Sequence, residues 1–218
     1  MTDIGIAPGG GSAKPPRYGD VMGDQKRAAN DWYQDQPEAT EALLRVERFS
    51  GLSWDPACGL GTIPMTLEKA GHECLASDIV DRGYKGGLTE SFWTLDFLQA
   101  TGTPADNIIS NPPFNLAQAF AERALSIAGN KVAFLLPLTF LEGMRRAQWL
   151  SASPLARVHV FSWRISMPPG ELLAAGAVKP EGGKKAFAWF VFEHGWMGPA
   201  QVRFLHKPAS ICINEGAA

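Results

Sequence analysis

The chain is poor in the features that mark several protein classes. It has three cysteines in 218 residues, Cys58, Cys74 and Cys212, and no CxxC spacing among them. An odd, scattered set of this kind argues against a disulfide framework and against a zinc site, and it fits a reducing compartment. His72, His159, His194 and His206 do not cluster with the cysteines at metal-ligand spacing, so no metal is expected. Basic residues are not in excess: 20 Lys and Arg against 22 Asp and Glu leave a formal net charge of −2. Any contact with nucleic acid must then rest on a local patch rather than on a global field. No apolar run approaches the roughly 18 residues of a membrane span. Residues 1–20 are rich in Gly, Pro and Ser and lack the apolar core of a signal peptide. The expectation is a soluble cytoplasmic protein with no membrane partner.

What is present is an ordinary globular composition, 45% hydrophobic and 19% charged, in a length that suits one substantial domain. We expect a flexible tail over 1–20 and a single domain over 21–218. Apolar residues at helical spacing predict a helix over 38–48. Beyond it, short apolar runs alternate with helical segments. Strands are expected over 52–54, 73–77, 92–95, 107–110, 132–136, 158–163 and 187–193, the last being the final clear strand. Helices are expected over 63–70, 116–128 and 141–150. Such alternation predicts an α/β domain with a mostly parallel sheet and helices on both faces. The stretch 164–186 is rich in Gly, Pro and Lys and shows neither helical nor strand period. It is expected to be a mobile substrate loop.

Four strand ends carry a polar side chain: Asp55, Asp78, Asp96 and Asn111. Ligands of open parallel sheets bind at these ends, and four in succession make a stronger signal than one Asp, which is also a common cap or turn residue. Asp55 opens the turn Asp55-Pro56-Ala57-Cys58-Gly59-Leu60-Gly61, whose glycines allow close approach of a ligand. Asp78 follows 23 positions later, suitably spaced to accept hydrogen bonds from ribose hydroxyls. The loop is no phosphate cradle, for no GK[ST] follows. Pro64 stands where the third glycine of a dinucleotide fingerprint would be. A nucleoside without phosphates fits best.

Asn111-Pro112-Pro113-Phe114 is the sharpest motif. The prolines stiffen the turn and remove two N–H donors. The Asn111 side chain and the Pro112 carbonyl can together accept both hydrogens of an NH2 group. Phe114 gives a planar substrate a face to stack on. Cys58 reads as packing, because no Pro-Cys pair exists to supply the nucleophile of a cytosine C5 methyltransferase. Trp163 and Trp189 read as core. Lys14, Arg17, Lys26, Arg27, Arg145, Arg146, Lys179, Lys184 and Lys185 are candidate phosphate contacts or plain solvated surface.

With these motifs the chain resembles the class I S-adenosylmethionine-dependent amino-methyltransferases that carry an NPPF-type motif. Within them it is most similar to small phage-type DNA N6-adenine methyltransferases, from about Trp32 to Trp196. The resemblance implies a Rossmann-like seven-stranded sheet, mostly parallel with one antiparallel strand. It implies S-adenosylmethionine as cofactor, held by Tyr33, Asp55, Pro56, Ala57, Gly59, Gly61, Asp78, Ile79, Asp96, Phe97 and Asn111. In that analogy Asp78 takes the ribose, Asp96 the adenine amine, and Tyr33 lies over the methionine part. Asn111, Pro112, Pro113 and Phe114 form the catalytic motif. Phe114, Arg164, Lys184 and Lys185 meet the substrate. The implied partner is DNA with its adenine flipped out or unpaired, in the host-cell cytoplasm if the chain is phage-encoded. No separate target-recognition domain is evident. Two alternatives stay open: a protein glutamine-amide N-methyltransferase, which shares the motif, and a non-catalytic binding module of the same fold.

Overall fold

The computed structural model describes residues 31–207, apart from 85, 87–91, 103–104, 181–182 and 184. The expected tail over 1–20, Lys14, Arg17, Lys26, Arg27 and Lys184 lie outside the described residues. Helix α1 (Pro37–Val46) has proline at its first position, where a missing N–H costs nothing. It leads to β1 (Ser53–Asp55), α2 (Thr62–Lys69), β2 (Cys74–Asp78), β3 (Phe92–Thr94) and β4 (Asn107–Ser110). Then come α3 (Ala117–Ile127), β5 (Lys131–Pro137), α4 (Met144–Ala152) and β6 (Leu155–Phe161). The described elements end with α5 (Gly170–Ala174), β7 (Phe187–Glu193) and β8 (Gln201–Leu205).

The strands form one sheet in the order β3-β2-β1-β4-β5-β7-β6-β8. β7 pairs antiparallel with both β5 and β6, and every other pairing is parallel. One reversed strand in a parallel sheet is the expected arrangement. The strand count is corrected from seven to eight. β8 extends the sheet beside β6 as an edge strand, and its Val202 and Phe204 are each 62% exposed, so no buried apolar run announced it.

Alternation along the central strands divides the core between two faces. Ile108, Val132, Phe134, Phe190 and Phe192 pack with Phe120, Ala121 and Ala124 of α3. Their neighbours Ile109, Ala133, Leu135, Trp189 and Val191 pack with Ala39, Ala42 and Leu43 of α1 and with Ile63 and Leu67 of α2. Each fully buried aliphatic or phenyl side chain contributes about 1.5–3 kcal/mol. The two large buried indoles are satisfied: Trp189 Nε1 donates to the Ala39 carbonyl at 2.8 Å, and Trp54 Nε1 to Ser77 Oγ at 3.0 Å. The helix expected from 141 begins at Met144 instead, because Gly143 (φ 101°) separates it from a 3-10 turn over Leu138–Leu141. Among the described residues no helix is long and apolar enough to cross a membrane.

The stretch 164–186 has more regular structure than its composition suggests. Ile165 to Gly170 are buried, and α5 follows at once. Gln34 N–H donates to the Pro168 carbonyl at 2.9 Å, and Gly170 N–H to the Trp32 carbonyl at 3.1 Å. Tyr33 and Pro169 thereby form an antiparallel bridge. The prolines at 168 and 169 offer no N–H, but their carbonyls serve as acceptors, which suits this one-sided pairing. The expectation of no regular period is thus corrected for the first part of the stretch.

Candidate active site

The carboxyl ends of β1, β2 and β4 open into a cleft of about 200 Å³. Its floor is the turn after β1. Gly59 sits at φ 56°, and a Cβ there would lie 2.8 Å from the Trp32 indole nitrogen. Only glycine accommodates both the backbone angle and that approach. Gly59 N–H donates to Asp78 Oδ2 at 2.9 Å. Gly61 plays a different part from the one expected. At φ 83°, it makes room for the Tyr84 ring, which a Cβ would meet at 2.3 Å, and it does not line the cleft.

Asp55 is also turned inward. Its Oδ1 accepts from Ser110 Oγ at 2.7 Å and from Ala57 N–H at 3.1 Å, which ties the turn to β4. Burial pushes its carboxyl well above the usual carboxylate range, and the Ser110 and Ala57 hydrogen bonds offset this only in part. Asp55 therefore shapes the cleft from beneath; Pro56 and Ala57 line it. Cys58 lines it too, and burial pushes its thiol up, so it is no thiolate nucleophile.

Asp78, Ile79, Asp96 and Phe97 line the cleft together with Leu95, Leu98, Leu116 and Phe120. Ile79 is 56% exposed although it adjoins the buried Asp78, so an apolar face is offered to a ligand. Asp96 is exposed; its Oδ1 accepts from Leu98 N–H at 3.1 Å and caps a 3-10 turn. Asp78 Oδ1 accepts from Val80 N–H at 3.0 Å and from Arg82 at 2.6 Å. The Arg82 guanidinium also lies 4.4 Å from the centre of the Trp32 ring. Apolar walls with acceptors at their rim suit a purine nucleoside.

The segment 31–35 lines the cleft as well, and of its residues the resemblance implies only Tyr33. Asp31, held at φ 55°, accepts from Asn115 N–H at 2.9 Å. Gln34 and Asp35 are buried and line the cleft. Asn111 Nδ2 donates to the Tyr33 carbonyl at 2.8 Å. Among the described residues, three buried oxygens here have no hydrogen-bond partner: Gln34 Oε1, Asp35 Oδ2 and Asn111 Oδ1. Buried acceptors of this kind are expensive unless a ligand completes them. An Asp two residues before Pro37 was the available clue, but its burial was not legible.

A second cleft of about 390 Å³ adjoins the first. Asp31 and Tyr33 line both. Phe114, Pro137, Thr139, Phe140, Arg146 and Lys185 line the second alone. Phe114 does not present a bare face: Tyr33 stacks on it at 5.4 Å with 12° between the rings, and Phe187 packs at 5.8 Å. Pro113 lines the first cleft, whereas Pro112 is buried behind it. Arg164 is exposed and lines neither cleft; Lys185 does face the site. Arg146 lies over Phe140, 4.9 Å from the ring centre.

No protein-family model matches the chain, and no curated protein matches its sequence. Solved structures do match. A modification subunit of a candidate type I restriction enzyme from Vibrio vulnificus superposes with a TM-score of 0.53 at 13% identity. The match covers 88% of this chain and 49% of that one, so the chain spans about half its length. A candidate class I S-adenosylmethionine-dependent methyltransferase from Listeria monocytogenes gives 0.53 at 14% identity, over 86% and 68%. A candidate RNA methyltransferase from Pyrococcus horikoshii gives 0.51 at 16%, over 72% and 83%. The chain has the fold of the class I methyltransferases.

Proposed function

We propose that the chain is an S-adenosylmethionine-dependent methyltransferase acting on the N6 amine of adenine in DNA. The observation that carries this reading is Asn111 Oδ1, a buried acceptor without a partner, in a turn whose Asn111 and Pro113 line one cleft while Phe114 lines the other. The first cleft suits the cofactor: an apolar slot bounded by Ile79, Leu98 and Leu116, acceptors at Asp78 and Asp96, and further acids, Asp31 and Asp35, for a cationic ligand. The second suits the acceptor, with the Tyr33–Phe114 pair beside it and Arg146 and Lys185 available for phosphate. Nucleic-acid modification also figures in the names of the Vibrio and Pyrococcus neighbours.

The cofactor supplies an electrophilic methyl on a sulfonium. Asn111 Oδ1 and the Pro112 carbonyl accept the two amine hydrogens, which turns the nitrogen lone pair out of conjugation and towards that methyl. Bound there, the cofactor would give up that methyl by direct displacement, its S–C electron pair staying on sulfur, and the amine would then lose its surplus proton. The chain's contribution is orientation and fixed dipoles, with no covalent intermediate. A base in a duplex must leave the stack, at a cost of a few kcal/mol that unpaired adenines avoid. Specificity is then short or relaxed. The test is transfer of tritiated methyl to single-stranded, duplex and mismatched oligonucleotides, followed by nucleoside analysis, with a protein extract alongside. N6-methyladenine in DNA is expected, most of it on unpaired sites. Label in protein glutamine and none in DNA overturns the substrate assignment.

A further inference from the structure

We infer that Asp35 holds the amino group of the cofactor's amino-acid arm. This rests on the cofactor reading above and goes beyond it to a residue with no assigned role. Asp35 is only 7% exposed, and its Oδ2 has no partner among the described residues. The neighbouring Asn111 amide favours the ionised form of that carboxyl. Asn111 Nδ2 donates to the Tyr33 carbonyl, and its Oδ1 is left without a partner. Gln34 is oriented in the same way. Its Nε2 donates to Thr62 Oγ1, which leaves Oε1 without a partner.

Asp35 Oδ2 and Gln34 Oε1, the two free acceptors that methyl transfer does not use, match an ammonium, which brings N–H donors and a positive charge. A neutral donor leaves the buried charge uncompensated. The other charges around the group are of the wrong sign or already engaged. Asp31 lies on the same segment, Asp55 ends β1, Asp78 ends β2, and Asp96 follows β3. Arg82 is the one cation lining the cleft among the described residues, and it is paired with Asp78. Burial pushes the Asp35 carboxyl up to about 7, while its own backbone N–H and Asn111 hold it down in part. A ligand ammonium favours the ionised form, so binding releases a proton below that pH.

The experiment is calorimetric titration of wild type and Asp35→Asn with two probes across roughly pH 5.5–8.5. S-adenosylhomocysteine carries the amino group; 5′-methylthioadenosine lacks the whole arm. For wild type, affinity for S-adenosylhomocysteine should rise by up to about tenfold per pH unit and level off above about 7, with methylthioadenosine flat. Asp35→Asn should weaken S-adenosylhomocysteine by about tenfold or more, abolish its pH dependence and change methylthioadenosine less than about twofold. Ligand-free Asp35→Asn should unfold at the same or a higher temperature than wild type. Equal weakening of both probes, or an unchanged affinity for S-adenosylhomocysteine, overturns the assignment while leaving the cofactor reading intact. Failure of both probes to bind wild type overturns the cofactor reading itself.

Discussion

Helix α1 has an acidic side chain just outside each end. Asp35 precedes it at the carboxyl edge of the sheet, and Glu47 follows it at the amino edge. The helix dipole favours an anion near the first and disfavours one near the second, by about 0.3–1 kcal/mol at exposed sites. The two carboxyls behave in the opposite sense. Burial pushes Asp35 up to about 7. Burial also raises Glu47, but hydrogen bonds from His159, Arg157 and Lys131 outweigh it and hold the group at about 2. Lys131 Nζ lies 3.0 Å from Glu47 Oε2, Arg157 Nη2 3.1 Å from the same oxygen, and His159 Nε2 2.8 Å from Oε1. Arg157 also pairs with Glu193, the last residue of β7. Specific partners, more than the helix field, decide the charge state. Glu47 is satisfied within the molecule, whereas Asp35 Oδ2 is left for a ligand.

The largest expected effect tests the satisfied end. Glu47→Gln leaves Lys131 and Arg157 with less anionic compensation and should cost about 3–5 kcal/mol. At this chain length that corresponds to roughly 6–20 °C in unfolding temperature. Turnover of the folded fraction should be unchanged. Urea unfolding that matches wild type would break the comparison. At the ligand end the pattern should invert. Asn111→Ala should lower methyl transfer by about 10²–10³-fold, the loss seen when a preorganised polar group is removed. Cofactor affinity should stay within a few-fold and the unfolding midpoint unchanged; a variant that keeps most of its turnover would remove Asn111 from the mechanism.

The two ends should also differ in pH dependence. Asp35 has a raised folded-state pKa, so its contribution to stability is full below about 3.8 and is lost as pH rises through about 7. Glu47 has a depressed one, so its contribution is present above about 4.5 and is lost as pH falls through about 2. Between these windows, stability should decline towards neutral pH by up to roughly 1.4 kcal/mol per unit for each raised group. Asp35→Asn should remove its share of that slope, with Asp55 supplying the remainder. Chemical denaturation at a series of pH values reads this directly, and an unaltered slope would show that Asp35 does not titrate in that range.

A smaller effect is expected at Asp78. Its replacement by Ala should weaken cofactor binding by about 1.5–3 kcal/mol, since a hydrogen bond to a charged group is lost. An unchanged binding constant would show that the Arg82 pair, not a ligand, is what Asp78 serves. The smallest effect belongs to Lys185, at the second cleft. Lys185→Ala should reduce DNA affinity and lower the salt dependence by about 0.9 in the log–log slope on duplex. A slope equal to that of wild type would take Lys185 out of the interface.

Local pattern was enough for much of the sheet. The paired isoleucines of 107–110 and the aromatic-rich run at 187–193 favour strand formation locally. The turn chemistry of Asp55–Gly61 and of Asn111–Phe114 is equally local, so the positions of Asp78, Asp96 and Asn111 at strand ends were readable in advance. Tertiary structure decided what those residues face. Asp55 accepts from Ser110, Gly61 backs onto Tyr84, and Gly59 alone of the three meets the segment 31–35. That segment is held by Pro168 and Gly170, more than 130 positions away, through backbone groups that carry no sequence signature. Strand β8 alternates polar and apolar residues over only five positions, and its Val202 and Phe204 stay exposed at the sheet edge. The charge states of Asp35 and Glu47 follow from which partners the fold brings within about 3 Å, a distance that no local propensity encodes.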